Sequence, residues 1–277
     1  MHNSCRTAAL VALAALSSSC FTSVGKWTYP SGRYPTTASH RAAKAFVLVE
    51  PLLDQRGTDN RSCMAWSYVP VFPFGWTHFD RPEATVPDPD TTRYTADPCF
   101  DLARAIVIEL RRQGLVEHAE FTSDYQRGRG ETHVLRGTLR AFFVAEERWT
   151  YGLSIYAPVV WALGLPMGTS ANGFCVDLEL VEASSGRVAW AATVFDSDDW
   201  TEGYYYGPEW YRFGWMWERR LRQQLGDLAR ALGAEPAPLP DALRRELDRD
   251  PPRMPPSLLE ASRRQLSGES GPRPPAR

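Results

Sequence analysis

Apolar side chains along this chain recur with two periods, and the switches between them lay out its elements. Ala45-Phe-Val-Leu-Val49 is an uninterrupted apolar run with β-branched residues, as expected of a central strand covered on both faces. Between Asp97 and Gly114 the period becomes helical. Asp97 suits an N-cap and Pro98 the first turn; Leu102, Ala103, Ile106, Val107 and Leu110 form one stripe, and Gly114 suits a left-handed end. Leu115 to Phe121 predicts a short strand. From Val134 to Val144 the pattern alternates, with Leu135, Gly137, Leu139, Ala141 and Phe143 on one face and Arg136, Thr138 and Arg140 on the other. Phe174, Val176, Leu178 and Leu180 alternate with Cys175, Asp177 and Glu179. Ser184-Ser185-Gly186 then makes a hairpin turn, and Val188, Trp190, Ala192 and Val194 alternate again. Pro208 to Leu232 predicts a second helix, in which Trp210, Phe213, Trp217, Leu221, Leu225 and Leu228 recur every third or fourth residue before Gly233. The order predicts an α+β fold: a largely antiparallel sheet of about five strands with two main helices packed on one face.

One stretch interrupts this scheme. No charged side chain occurs between Arg148 and Asp177. A helix that crosses a bilayer needs about 20 mainly apolar residues, but Pro158, Gly164 and Pro166 break the run. Up to Ala157 the spacing has period two and predicts a strand; from Pro158, Val-Val-Trp-Ala-Leu163 predicts a short helix that Gly164 and Pro166 end. The stretch reads as an apolar excursion from the sheet. If the strand ending near Val144 pairs antiparallel with the one starting at Phe174, the excursion leaves and returns at one pole. The Gly186 turn then lies at the other pole, and Trp200 to Gly207 comes back beside the excursion. This makes Trp149, Tyr151, Trp161, Leu163, Tyr204 and Tyr205 candidate contacts for a partner protein, the bilayer interface or a glycan. The competing reading folds the same rings over the sheet's own bare face. Trp210, Phe213 and Trp217 fit the core.

The connection from Pro51 to Tyr94 is long, and in Met64 to Trp76 its aromatics argue against disorder and its prolines against a central strand. It is expected to be an ordered, aromatic-rich loop, with Asp54, Arg56, Asp59 and Arg61 as an ion-pair cluster that orders it.

The N-terminus carries a secretory pattern: Arg6, a short apolar run from Ala8 to Leu16, then Ser17-Ser18-Ser19-Cys20. A Cys directly after small residues resembles a bacterial lipobox, although Leu16 stands one place early. Cys20 is the candidate lipidated (palmitate-bearing) residue, and the alternative is an ordinary signal with a spare cysteine. Phe21, in place of an acidic residue, favours the outer membrane by resemblance to enterobacterial sorting. The expected divisions are a signal peptide over 1–19, anchor and tether over 20–44, the α+β domain over 45–233 and a Pro-rich, largely disordered tail over 234–277. Export implies an oxidising compartment, where Cys63 and Cys99 are the candidate disulfide pair and Cys175 a small core side chain.

The formal net charge of −2 gives no reason to expect nucleic acid as partner. His40, His78, His118 and His133 are scattered, and no Cys/His spacing suggests a metal or cofactor. Asp196, Asp198 and Asp199 read as a solvated strand end rather than a cation site. Gly168-Thr-Ser170 starts like a nucleophile elbow but has its second glycine one residue late.

Phe46-Val-Leu-Val49, the helix Leu102 to Leu110 with Gly114-Leu115, His133-Val-Leu-Arg-Gly137 and the hairpin Leu180 to Trp190 together resemble the envelope lipoproteins of the curli-secretion, YajG-like and TolB N-terminal domain type. That resemblance covers roughly Ala45 to Leu232. It implies a non-enzymatic module on the periplasmic face of the outer membrane, held in the lipid through Cys20 and acting with an envelope protein, a glycan or further copies of itself. A subunit of an oligomeric pore or secretion channel is the alternative, and a hydrolase a distant third.

Overall fold

In the computed structural model, described over residues 24–26, 29, 32–36, 41–84, 93–95, 97–123, 128–205 and 212–254, one long strand organises the sheet. The elements run β1 (Val24–Lys26), β2 (Ala43–Val49), β3 (Leu53–Asp54), β4 (Asn60–Ser62), β5 (Phe74–Phe79), β6 (Arg93–Thr95), α1 (Pro98–Arg112), β7 (Val116–Phe121) and β8 (His133–Trp149). They continue with α2 (Ala157–Ala162), β9 (Pro166–Glu182), β10 (Val188–Gly203), α3 (Arg212–Ala231) and α4 (Asp241–Arg249). Strand β8 pairs with β9 along one edge. Its other edge is shared in turn by β2 opposite His133, β3 opposite Thr138 and β5 opposite Trp149.

The fold is α+β, but the sheet is larger than the expected five strands. It has eight, mostly antiparallel, with parallel pairing where β2 meets β7 and β8 and where β3 meets β8. The extra strands come from the connection read as a loop. Pro73 and Asp80 flank Phe74–Phe79 without interrupting it, so the prolines delimit β5 rather than exclude it.

The uniform alternation read in β8 is also corrected. A bulge between Leu139 and Ala141 shifts the register, so Phe142 and Val144, not Ala141 and Phe143, continue the core face. Phe142 stacks on Phe213 of α3 with ring centroids 4.2 Å apart. Phe143 turns to the opposite face against His78, over Gly173, where a Cβ would lie 2.5 Å from its ring.

Helix α1 forms where its capping pattern placed it: the Asp97 carboxylate accepts a hydrogen bond from the Phe100 amide, and Gly114 closes the helix at φ +59°. Leu102, Ile106 and Leu110 of α1 share one apolar cluster with Val47, Leu135, Val176 and Leu180 of the sheet and with Trp217, Leu221 and Leu225 of α3. The expected start of α3, Pro208 to Tyr211, lies outside the described residues.

Charged positions of α3 are covered as well. Glu218, Arg219, Arg220 and Arg222 are all buried. Arg222 pairs with Glu109 of α1 and donates to the Pro35 carbonyl, while Arg219 reaches Asp196 of β10 and Asp250 beyond α4. Leu243 of α4 is fully buried. Two expectations change with this. Of the tether expected over 20–44 and the largely disordered tail expected over 234–277, the described residues 32–36 and 234–254 lie against the domain, with Tyr34 and Leu243 buried. Polar sequence hid this packing, because ion pairs rather than an apolar stripe hold these segments. Asp196, read as solvated, is a buried ion-pair partner. Residues 1–23, with the signal and Cys20, and the tail beyond 254 lie outside the described residues.

A candidate contact site at the end of the sheet

Strands β8, β9 and β10 continue past the first turn of α3 as an arm. Their register carries Glu147 opposite Thr169, and Thr201 opposite Thr169 on the other side, up to Gly203 beside Pro166. Met167 to Gly173 lacks apolar alternation and gives no strand signal, yet β9 runs through it. Main-chain pairing to both neighbours suffices there, and the small residues Gly168, Ser170 and Ala171 allow close approach; a Cβ on Gly168 would fall 1.9 Å from the Glu147 carbonyl oxygen. The strand predicted over Trp149 to Ala157 ends instead at Trp149. A turn through Tyr151 and Gly152 and a short 3-10 helix, Ser154–Tyr156, lead into α2.

The expected convergence at one pole is present, and a third segment joins it. The Tyr205 hydroxyl donates to the Ala162 carbonyl at 2.6 Å. The loop from Met64 to Pro73 packs against the same excursion: the Thr150 amide donates to the Pro73 carbonyl at 2.7 Å, the Val71 amide to Gly152 at 3.3 Å and the Ser154 hydroxyl to Tyr68 at 2.5 Å. At its base the loop is ordered by an ion-pair cluster, in which buried Arg56 pairs with Asp54 and Glu83 and Arg61 pairs with Asp59. The signal for this third segment was present in the sequence, since residues 62–76 carry no charged side chain either.

Most of this pole faces outward. Val71 is 85% exposed, Leu163 75%, Tyr205 71% and Tyr156 68%. Ile155, Val159 and Tyr204 are exposed too, as is Tyr151, whose hydroxyl donates to the Pro166 carbonyl. Trp161 is the exception among the candidate contacts. It is 5% exposed, and its indole N–H donates to the Trp149 carbonyl, so it anchors the tip from inside rather than touching a partner. A helix that presents Val159 and Leu163 outward must turn Trp161 inward. Trp149 is half-buried, its indole N–H donating to Glu147. Val71, Ile155, Tyr156 and Val159 were not singled out from sequence, because period and composition do not say which apolar residues of an irregular segment face solvent.

The disulfide expectation is corrected here. Cys63, Cys99 and Cys175 are free thiols. Cys63 is fixed against β5 by its backbone N–H, which donates to the Trp76 carbonyl, whereas Cys99 lies in the first turn of α1, where its carbonyl accepts from the Leu52 amide. Burial pushes the Cys99 thiol up to about 11 and the Cys175 thiol up to about 12. Among the described residues no group of His, Cys, Asp and Glu could hold a metal ion, and no helix is long and apolar enough to cross a membrane.

Backbone strain marks the same pole. The non-glycine residues with positive φ among those described are Val71 (81°), Tyr151 (57°) and Ser154 (51°), and all belong to the tip. A β-branched residue there is a genuine outlier, costing about 1–2 kcal/mol. Val71→Gly is therefore expected to raise stability by about 1 kcal/mol, as a higher urea midpoint at unchanged slope.

No family model and no curated protein matches the chain. Among solved structures, a DUF330-family protein from Xanthomonas campestris aligns over 75% of this chain and 93% of its own, at 11% identity and TM-score 0.37. A PelC dodecamer from Paraburkholderia phytofirmans covers 60% and 78%, at 16% and 0.28. A neuraminyllactose-binding hemagglutinin homologue from Helicobacter pylori covers 72% and 88%, at 8% and 0.35. Likeness at this level assigns neither family nor function.

Proposed function

We propose that the chain is a lipid-anchored bacterial envelope lipoprotein of the curli-secretion, YajG-like or TolB N-terminal type, a non-catalytic binding or assembly module on the periplasmic face of the outer membrane. The observation that carries this reading is the tip itself: three uncharged segments meet at the end of a strand-paired arm and leave large apolar side chains in solvent. An ordinary monomer seldom leaves such a patch uncovered. Export and acylation at Cys20 rest on the sequence from Arg6 to Cys20. Fractionation of cells tests the anchor. The wild-type chain is expected with outer membranes, Cys20→Ser in the soluble periplasmic fraction, and mass spectrometry is expected to find a diacylated, cleaved N-terminus. An intact N-terminus on the wild-type protein would remove this reading.

A second reading, a subunit of an oligomeric pore, draws on the long arm of β8, β9 and β10. It expects ring-shaped oligomers in detergent and conductance in planar bilayers; a binding module expects neither.

A further inference from the structure

We propose that the tip seats in a lipid–water interface, as a membrane contact separate from the acyl chain; this rests on the lipid-anchored reading above. The occupant is argued from the chemistry of the surface. Residues 62–76, 149–165 and 203–205 contain no Asp, Glu, Lys, Arg or His. A protein-binding patch carries a polar rim and about one hydrogen bond per 100–200 Å². Among the most exposed side chains here, Val71, Ile155, Val159 and Leu163 have no polar atoms, and of the two tyrosines beside them, Tyr156 and Tyr205, the latter's hydroxyl already donates to the Ala162 carbonyl. The tip's main chain is engaged internally as well. The amides of Thr150, Tyr151 and Leu163 donate to Pro73 and Val159, and the hydroxyls of Thr150 and Ser154 donate to the Phe72 and Tyr68 carbonyls. That economy matters where water is scarce, since a bare amide or carbonyl in lipid costs several kcal/mol. Exposed Trp66, Tyr68, Tyr156 and Tyr205 are the amphipathic rings that favour the headgroup level. The first charged residues below, Glu147 and Arg148 before Trp149 and Glu202 before Gly203, set a shallow limit to insertion.

The test uses the full mature chain from residue 20 with Cys20→Ser, so that no acyl chain contributes, and phosphatidylethanolamine/phosphatidylglycerol vesicles. The chain is expected to sediment with the vesicles, and lipids brominated near the headgroup are expected to quench its tryptophan fluorescence. Binding is expected to change less than about twofold between low and high salt, because no charge takes part. Ile155→Asp/Leu163→Asp, both at exposed positions, is expected to lower partitioning at least about tenfold while leaving circular dichroism and the urea midpoint unchanged. Absence of vesicle binding, or equal binding by the double variant, overturns the proposal. So does concentration-dependent dimerisation, in sedimentation velocity without lipid, that the same variant abolishes; the tip would then be a contact between copies. Each of these outcomes leaves the anchor reading intact if the acylated chain still fractionates with outer membranes, so the two can fail separately.

Discussion

Asp196→Ala is expected to destabilise the domain by about 3–5 kcal/mol, more than any surface substitution. Asp196 is fully buried on β10 between two guanidinium groups of α3, Arg219 and Arg220. Removing the carboxylate leaves both cations without their shared counter-charge in a site that water does not reach, and the penalty is that of stranded charge rather than of a lost attraction. Arg219 also holds Asp250, and the Arg220 guanidinium donates to the Asp250 carbonyl, so the segment after α4 depends on the same pair. Urea unfolding should show the loss as a lower midpoint, and limited proteolysis should cut near 250 in the variant before the rest of the domain. Asp250→Ala is expected to cost only about 1 kcal/mol, because its side chain keeps solvent contact. A small effect at Asp196 would mean that α4 and the following residues do not pack on α3.

What could be read in the sequence follows from what kind of force holds each part. Helix α1, the hairpin of β9 and β10 and the convergence of the excursion with Tyr205 rest on periodicity, capping and strand direction, all of which are local patterns. The arrangement of the termini rests on Arg219, Arg222, Glu109 and Asp250, which are far apart in sequence and carry no periodic signature. Strand β5 was hidden because its partner, the end of β8, was itself read as stopping at Val144. At the tip, lack of charge in 149–165 marked the region, but only the backbone path decides that Trp161 turns inward while Leu163 faces out. The shift from Phe143 to Phe142 depends on one extra residue in β8, which alternation alone cannot place.

Glu146 gives the arm a dependence on pH. It lies on β8 between Thr77 of β5 and Ser170 of β9, and the Ser170 hydroxyl donates to Glu202 across the next strand. Burial pushes the Glu146 carboxyl up to about 7, with Arg148 opposing the rise and Glu202 adding to it. Because the folded carboxyl holds its proton more tightly than the unfolded one, its share of stability is complete below the unfolded value of 4.5 and is lost as pH rises through about 7. A shift of that size corresponds to about 3 kcal/mol, trimmed to about 2 by the solvent contact the residue retains. Glu146→Gln keeps the shape and removes the charge. It is expected to flatten the fall in urea midpoint between pH 4.5 and 7 and to be about 2 kcal/mol more stable than the wild-type chain at pH 8, with little difference at pH 4. Equal slopes in the two proteins would show that Glu146 ionises freely. The neighbours make a free ionisation hard to arrange. Thr77 and Asn172 are buried with side-chain polar atoms that have no hydrogen-bond partner among the described residues, so the inner face of the arm already carries uncompensated polarity there. A second negative charge beside Glu202 would fall on the part of the sheet that supports the tip, and hydrogen exchange of the β8 and β9 amides from Glu146 to Ser170 should rise with pH in the wild-type chain before it does in Glu146→Gln.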